Sequence, residues 1–179
     1  MTVRRTTAAL LAAAGLGLGL AGPAAAATIR VDDGDDTAIK ADILRVAVKH
    51  DARLKVKVHF DDLLKHSDQR VQGLNVYVDT GGGDPQPELM MEAGLWKGAD
   101  HVVARTGTGG WGLGQGVDCF SRLRVDWQAE TAVAVFGHGC LGKHPKARVA
   151  VVAYESTDDG SGSDWLLGRR TFTRWVKRG

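Results

Sequence analysis

The sequence predicts an all-β chain: an antiparallel β-sandwich of jelly-roll type with about nine strands and at most two short helices. Three observations predict it. Apolar and polar residues alternate with period two through the first half of the chain. Clusters of Gly, Asp and Ser divide it into short segments. Residues 28–179 hold 18 Val against 3 Ile and 12 Leu, a β-branched bias that suits pleated surfaces. Short strands, one-sided alternation and turn-rich links belong to a two-layer sandwich rather than to a parallel α/β sheet.

Taken in order, residues 1–27 read as an export signal. Arg4 and Arg5 precede an apolar run over 8–21, and Ala25-Ala26-Ala27 offers an Ala-x-Ala cut before Thr28. Gly15, Gly17 and Gly19 interrupt the run, which is shorter than the roughly 20 residues of a membrane span. No later segment is apolar enough to stop transfer. The expected product is therefore a secreted, extracellular domain over 28–179 with no membrane span. Removing Arg4 and Arg5 takes Lys+Arg from 23 to 21 against 21 Asp+Glu, so the formal charge falls from +2 to zero. A neutral domain lacks the basic footprint that displaces counterions from phosphates, so nucleic acid is not an expected partner.

Residues 28–31 are the first strand candidate. Leu44, Val46 and Val48 then alternate with Arg45, Ala47 and Lys49, and Leu54, Val56, Val58 and Phe60 alternate with Lys55, Lys57 and His59. This is a half-buried hairpin. Same-face residues must sit opposite one another, so partner numbers sum to an even value, as for 48 with 54 or 46 with 56, and the loop between them is odd; His50-Asp51-Ala52 satisfies this. Further strands are expected over 74–79, 101–105, 122–127, 131–136, 148–154 and 171–176. Residues 61–69 and 88–96 are the two short helix candidates. The inner face is expected to include Leu44, Val46, Val48, Val56, Val58, Phe60, Val76, Val78, Val125 and Val151, and Trp127 shares parity with Leu123 and Val125, which makes it a core residue.

Cys119 and Cys140 are the two cysteines, and in an oxidising compartment such a pair forms a structural bridge. Several motifs match by letter and fail by context. Gly137-x4-Gly142-Lys143 nearly spells a phosphate-binding loop, but His144 replaces the magnesium-binding hydroxyl. Gly107-x-Gly109-x-x-Gly112 and Gly137-x-Gly139-x-x-Gly142 lack the βαβ setting of a dinucleotide site. Asp159-x-Ser161-x-Ser163 reads as a polar turn. Asp32, Asp33, Asp35 and Asp36 are a candidate structural Ca²⁺ group, since hard cations take several carboxylate oxygens, though a solvated turn accounts for them without an ion. No Ser lies in Gly-x-Ser-x-Gly and no His-Glu-x-x-His occurs, so no catalytic residues are assigned.

Aromatic residues are the better functional signal. Trp111 stands among Gly109, Gly110, Gly112 and Gly114, where no neighbouring side chain can cover it, so it is expected to be exposed and to stack on a sugar or another flat ligand; packing over the open end of the sandwich is the other reading for it and for Trp96. Trp96, within Gly94-Leu95-Trp96-Lys97-Gly98, is its candidate partner.

The runs Leu44-Arg45-Val46-Ala47-Val48-Lys49-His50, Leu54 to Leu63 and Val76-Tyr77-Val78-Asp79-Thr80 resemble uncharacterised secreted β-sandwich proteins of actinobacteria. Cys140-Leu141 before Arg148-Val149-Ala150-Val151, and the ending Phe172-Thr173-Arg174-Trp175-Val176, continue that resemblance. More distantly the pattern is similar to DOMON and family-nine carbohydrate-binding-like sandwiches. Those domains bind haem or sugars. The leading expectation is a non-catalytic module for carbohydrate or cell-envelope glycan. A haem- or metal-binding sandwich using His101, His138 and His144 is the alternative, and a secreted hydrolase the third reading.

Overall fold

The computed structural model describes residues 27–34, 36–66, 68, 70–81 and 85–179; apart from Ala27, the expected leader lies outside them. In chain order, β1 (Thr28–Asp32), β2 (Ile43–His50) and β3 (Leu54–Phe60) form one antiparallel meander, and β4 (Arg70–Asp79), β5 (Leu89–Gly94), β6 (His101–Thr106) and β7 (Leu113–Gly116) form a second. The hairpin of β8 (Ser121–Asp126) and β9 (Thr131–Phe136) then adds to β3. After the single-turn helix α1 (His138–Leu141), the hairpin of β10 (Lys146–Thr157) and β11 (Gly160–Trp165) adds to β4, and β12 (Val176–Lys177) pairs with β10. The result is a five-stranded sheet, β1-β2-β3-β9-β8, packed on a seven-stranded one whose main path is β11-β10-β4-β5-β6-β7. This is an all-β sandwich, as the alternation predicts. The strand order does not by itself establish the expected jelly-roll connectivity.

The main core lies between the sheets. Val46, Val48, Val56, Val58 and Phe60 face Val76, Val78 and Val151, all buried. Burying each such side chain stabilises the fold by about 1.5–3 kcal/mol. Val125, on the edge strand β8, is half-buried against this core, as is Trp127. Leu44 departs from the predicted face. A bulge between Ile43 and Arg45 turns Ile43 inward and leaves Leu44 half-buried, and the Ile43 N–H there donates to the Asp164 carboxylate at 2.7 Å.

The β2–β3 hairpin has the predicted parity and loop length but a different register. Val48 pairs with Val56 and His50 with Leu54, so the loop is residues 51–53 rather than 50–52. Asp51 sets that turn. Its carboxylate accepts the Arg53 N–H at 3.0 Å and pairs with Lys49 and Lys55, and these contacts hold its pKa below the usual carboxylate range.

Neither predicted helix forms among the described residues; 67 and 69 lie outside them. Residues 89–94 become β5 because that segment is hydrogen-bonded on both sides, to β4 and β6, and tertiary pairing overrides helix propensity. The 61–66 segment is tied down as irregular chain. Gln72, buried, accepts the Leu64 N–H at 2.8 Å and donates to Asp62 O, while the Asp61 and Asp62 N–H groups donate to Asp42 O and Lys40 O. Two segments expected as loops are strands: β7, and β11, which contains Ser161 and Ser163. The strand expected over 171–176 shrinks to Val176–Lys177. Upstream of it the Thr173 hydroxyl accepts the Val149 N–H in place of a carbonyl.

Cys119 and Cys140 lie at disulfide distance, S–S 2.06 Å, with a sequence separation of 21. The pair clips α1 to the start of β8. Replacing both cysteines by alanine is expected to lower stability by about 3 kcal/mol, the closure entropy of such a loop. Urea denaturation of the double variant checks this; an unchanged midpoint would show that the bridge contributes nothing.

Candidate functional site

The outer faces of the two sheets differ in kind. On the five-stranded sheet Arg30, Lys49, Lys55, Lys57, Arg122 and Arg124 are exposed, with Lys49 directly opposite Lys55. A near-neutral composition therefore hides a cationic face. On the seven-stranded sheet several of the equivalent positions are apolar. Tyr77, Met90, Ala150 and Val152 are buried in a second cluster on the side away from the main core. Strand β4 and strand β10 are thus covered on both faces.

The cover is aromatic. Trp111, Trp165 and Phe172 pack half-buried over this cluster. Ring centres lie 4.9 Å apart for Tyr77 and Trp111, 5.8 Å for Trp111 and Trp165, and 5.3 Å for Trp111 and Phe172; Tyr77 and Trp165 are stacked within 8° of parallel. The expectation of an uncovered Trp111 is corrected here. Gly109 and Gly110, at φ 86° and 75°, turn the β6–β7 loop back on itself, and the Gly107 N–H donates to Gly112 O at 2.8 Å. The loop lays the indole down on the sheet instead of holding it up. The Tyr77 hydroxyl fixes it by donating to Trp111 O at 3.0 Å.

Phe172 is positioned by a cationic rail. Arg148 donates from Nε and Nη2 to the buried Asp79 carboxylate, both at 2.6 Å. Its guanidinium lies 4.6 Å from the centres of both Phe172 and Trp175, and Lys146 stands 4.1 Å over Trp175. These contacts press residues 172–175 against the sheet.

Next to the cap the face stays open. A hollow of about 500 Å³ lies between Tyr77, Trp165 and Tyr154, with Asn75, Ser163 and Arg169 on its walls. A second, of about 330 Å³, shares Tyr154 and adds Trp96, Glu92 and His101. Glycines make room for these rings. Gly73 and Gly94 are cross-strand partners; a Cβ on Gly73 would run into the Tyr154 ring, and one on Gly94 would come within 2.6 Å of the Trp96 ring. Trp96 and Tyr154 line the same hollow, while Trp111, its expected partner, belongs to the adjoining cap.

Two acceptors on this face lack partners. Asn75 Oδ1 is buried with no hydrogen bond, and the half-buried Glu92, directly opposite Asn75, has neither ion pair nor hydrogen bond among the described residues. Burial, and then the Glu92 charge, raise the pKa of Tyr154; burial is also the main cause of the raised pKa of Tyr77. Both hydroxyls stay protonated at neutral pH. A larger depression of about 890 Å³ on the other sheet, over Lys57, Lys65, Arg124 and Trp127, offers less. Its one indole N–H is already donated to Leu95 O at 2.7 Å.

Tyr77, Tyr154, Trp165, Asn75 and Glu92 were not singled out by sequence. The available signal was β10, where outward Ala150, Val152 and Tyr154 are as apolar as the inward positions. The histidines do not assemble as a metal site. His101 bonds Ser121 Oγ at 3.2 Å, and among the described residues the one His/Cys/Asp/Glu group close enough to share an ion is Asp36, Asp42 and Asp164. Of the aspartates expected to cluster near the N-terminus, Asp32 pairs with Arg45 instead, and Asp35 lies outside the described residues. Comparison with protein-family models, curated proteins and solved structures finds no match to this chain, so its function is argued from the chemistry of its own surface.

Proposed function

We propose that this chain is a secreted, non-catalytic binding module that takes carbohydrate on the outer face of the seven-stranded sheet. The observation that carries the reading is the pairing, across two adjoining hollows that share Tyr154, of aromatic rings with acceptors that have no partner among the described residues: Tyr77 and Trp165 beside Asn75 Oδ1 in one, and the Glu92 carboxylate beside Trp96 in the other. A pyranose has an apolar C–H face and a rim of hydroxyls. The rings suit the first, and the acceptors suit the second by taking O–H bonds that a buried, unsatisfied oxygen otherwise forgoes. Secretion is supported by the leader-like first 27 residues and by the cysteine pair at disulfide distance.

A glycan array followed by titration calorimetry tests this. Glu92→Gln is close in size to the wild-type side chain and removes the charged acceptor, and Tyr154→Phe removes the hydroxyl. Each is expected to weaken the best-binding glycan about tenfold with little change in melting temperature. Trp165→Ala removes a ring and should cost about 1–3 kcal/mol of binding. Full affinity in all three variants would place the site elsewhere, and an array with no binder would overturn the sugar reading.

A further inference from the structure

We propose that the protein holds a calcium ion where the β1–β2 connection meets β11, with Asp33, Asp36, Asp42 and Asp164 as carboxylate ligands. Asp36, Asp42 and Asp164 each place a carboxylate oxygen so that all lie within 4.8 Å of one another. Oxygens bound to one Ca²⁺ at about 2.3–2.6 Å are at most about 5 Å apart, so this spread fits a shared ion. Acidic residues crowd on many surfaces without one. This group differs in its burial. Asp42 is 1% exposed and Asp164 3%, and Asp42 Oδ2 and Asp33 Oδ2 are both covered with no hydrogen-bond partner.

Two further oxygens of the group are held in place by the fold. The Thr37 hydroxyl donates to Asp42 Oδ1, and the Ile43 N–H donates to Asp164 Oδ2 at 2.7 Å. Arg45 pairs with Asp32 and Lys40 with Asp62 at 3.5 Å, and no salt bridge reaches these four aspartates among the described residues. Burial, and then the charges of Asp42, Asp33 and Asp36, push the Asp164 carboxyl up to about 6; burial followed by Asp36 raises Asp33. Like charges this close repel strongly even where water screens them in part. A divalent cation removes the repulsion and completes the coordination of the orphaned oxygens together.

Ligand type selects the ion. An all-oxygen set without His or Cys suits hard cations rather than zinc. Several carboxylates gathered from an irregular connection and a strand suit the flexible coordination of calcium, whereas magnesium keeps most of its water and uses one or two carboxylates. Bound there, the ion ties the β1–β2 edge of one sheet to β11 of the other. This inference does not rest on the sugar reading.

The test is calcium titration of the chelator-treated protein by calorimetry, with thermal melts in EDTA, Ca²⁺ and Mg²⁺. One Ca²⁺ per chain is expected, with a dissociation constant below about 1 mM, and saturating Ca²⁺ should raise the melting temperature by about 5 °C where Mg²⁺ does not. Asp42→Asn and Asp36→Asn should each weaken binding at least tenfold. Should the buried Asp42 variant fail to fold, Asp36, which is exposed, decides. Absence of calcium heat and of a melting shift, an equal response to Mg²⁺, or undiminished binding in Asp36→Asn would overturn the proposal.

Discussion

Val56→Asp is expected to unfold the protein, while Lys57→Asp, one residue further along β3, leaves it folded. Val56 is fully buried between the sheets, pairs with Val48 on one side and Ala134 on the other, and has no polar group beside it to solvate a carboxylate. The substitution loses the burial of the valine, about 1.5–3 kcal/mol, and adds the desolvation of a charge, for a total above about 5 kcal/mol. That is comparable with the whole stability of a typical domain. Lys57 points the other way, exposed on the cationic face with Arg124 nearby across Val133, so an acid there relieves like-charge repulsion. Circular dichroism and urea titration of the two variants distinguish them. Equal tolerance at both positions would mean that the assignment of faces on β3 is wrong.

Trp111→Ala is expected to cost about 3 kcal/mol of stability, as large-to-small changes of a packed aromatic do. The indole touches Tyr77, Trp165 and Phe172 and carries Arg170 at 5.6 Å from its centre, so its removal opens the cap over the second apolar cluster. The Tyr77 hydroxyl bonds the backbone of residue 111 and survives the change. Thermal melts of the variant with and without the best-binding glycan separate packing from contact. A drop of roughly 6–12 °C with an unchanged glycan-induced shift is the expected result. A loss below about 1 kcal/mol together with lost glycan response would restore Trp111 to the role its glycine-rich setting suggests.

The two residues illustrate how legible different parts of the chain are. Lys55-Val56-Lys57-Val58 states its own geometry, because one face of that strand meets water and the other meets core, and period two records the difference. Val149 to Tyr154 does not. Both faces of β10 are covered, so an unbroken apolar run says only that the strand is buried and not which side holds a site. Trp111 misleads for a related reason. Local composition shows that its neighbours lack side chains, but what covers a ring is decided by residues far away in sequence, here Tyr77, Trp165 and Phe172.

The aspartates repeat the point. Asp33 and Asp36 are close in sequence, but the residues that meet them, Asp42 and Asp164, come from the end of a connection and from a strand more than a hundred residues on.

The sequence by itself determined the all-β class, the parity of the first hairpin, most of the inner face and the pairing of Cys119 with Cys140. Each follows from interactions between residues near in sequence, or from there being a single possible partner. Tertiary structure alone decided the register of β2 on β3, the bulge that swaps Ile43 for Leu44, the conversion of residues 89–94 from helix to strand, and the aromatic hollow and aspartate group. These depend on which strands become neighbours. Hydrogen-bond ladders and buried charges are settled between segments distant in sequence, and no local pattern encodes their meeting.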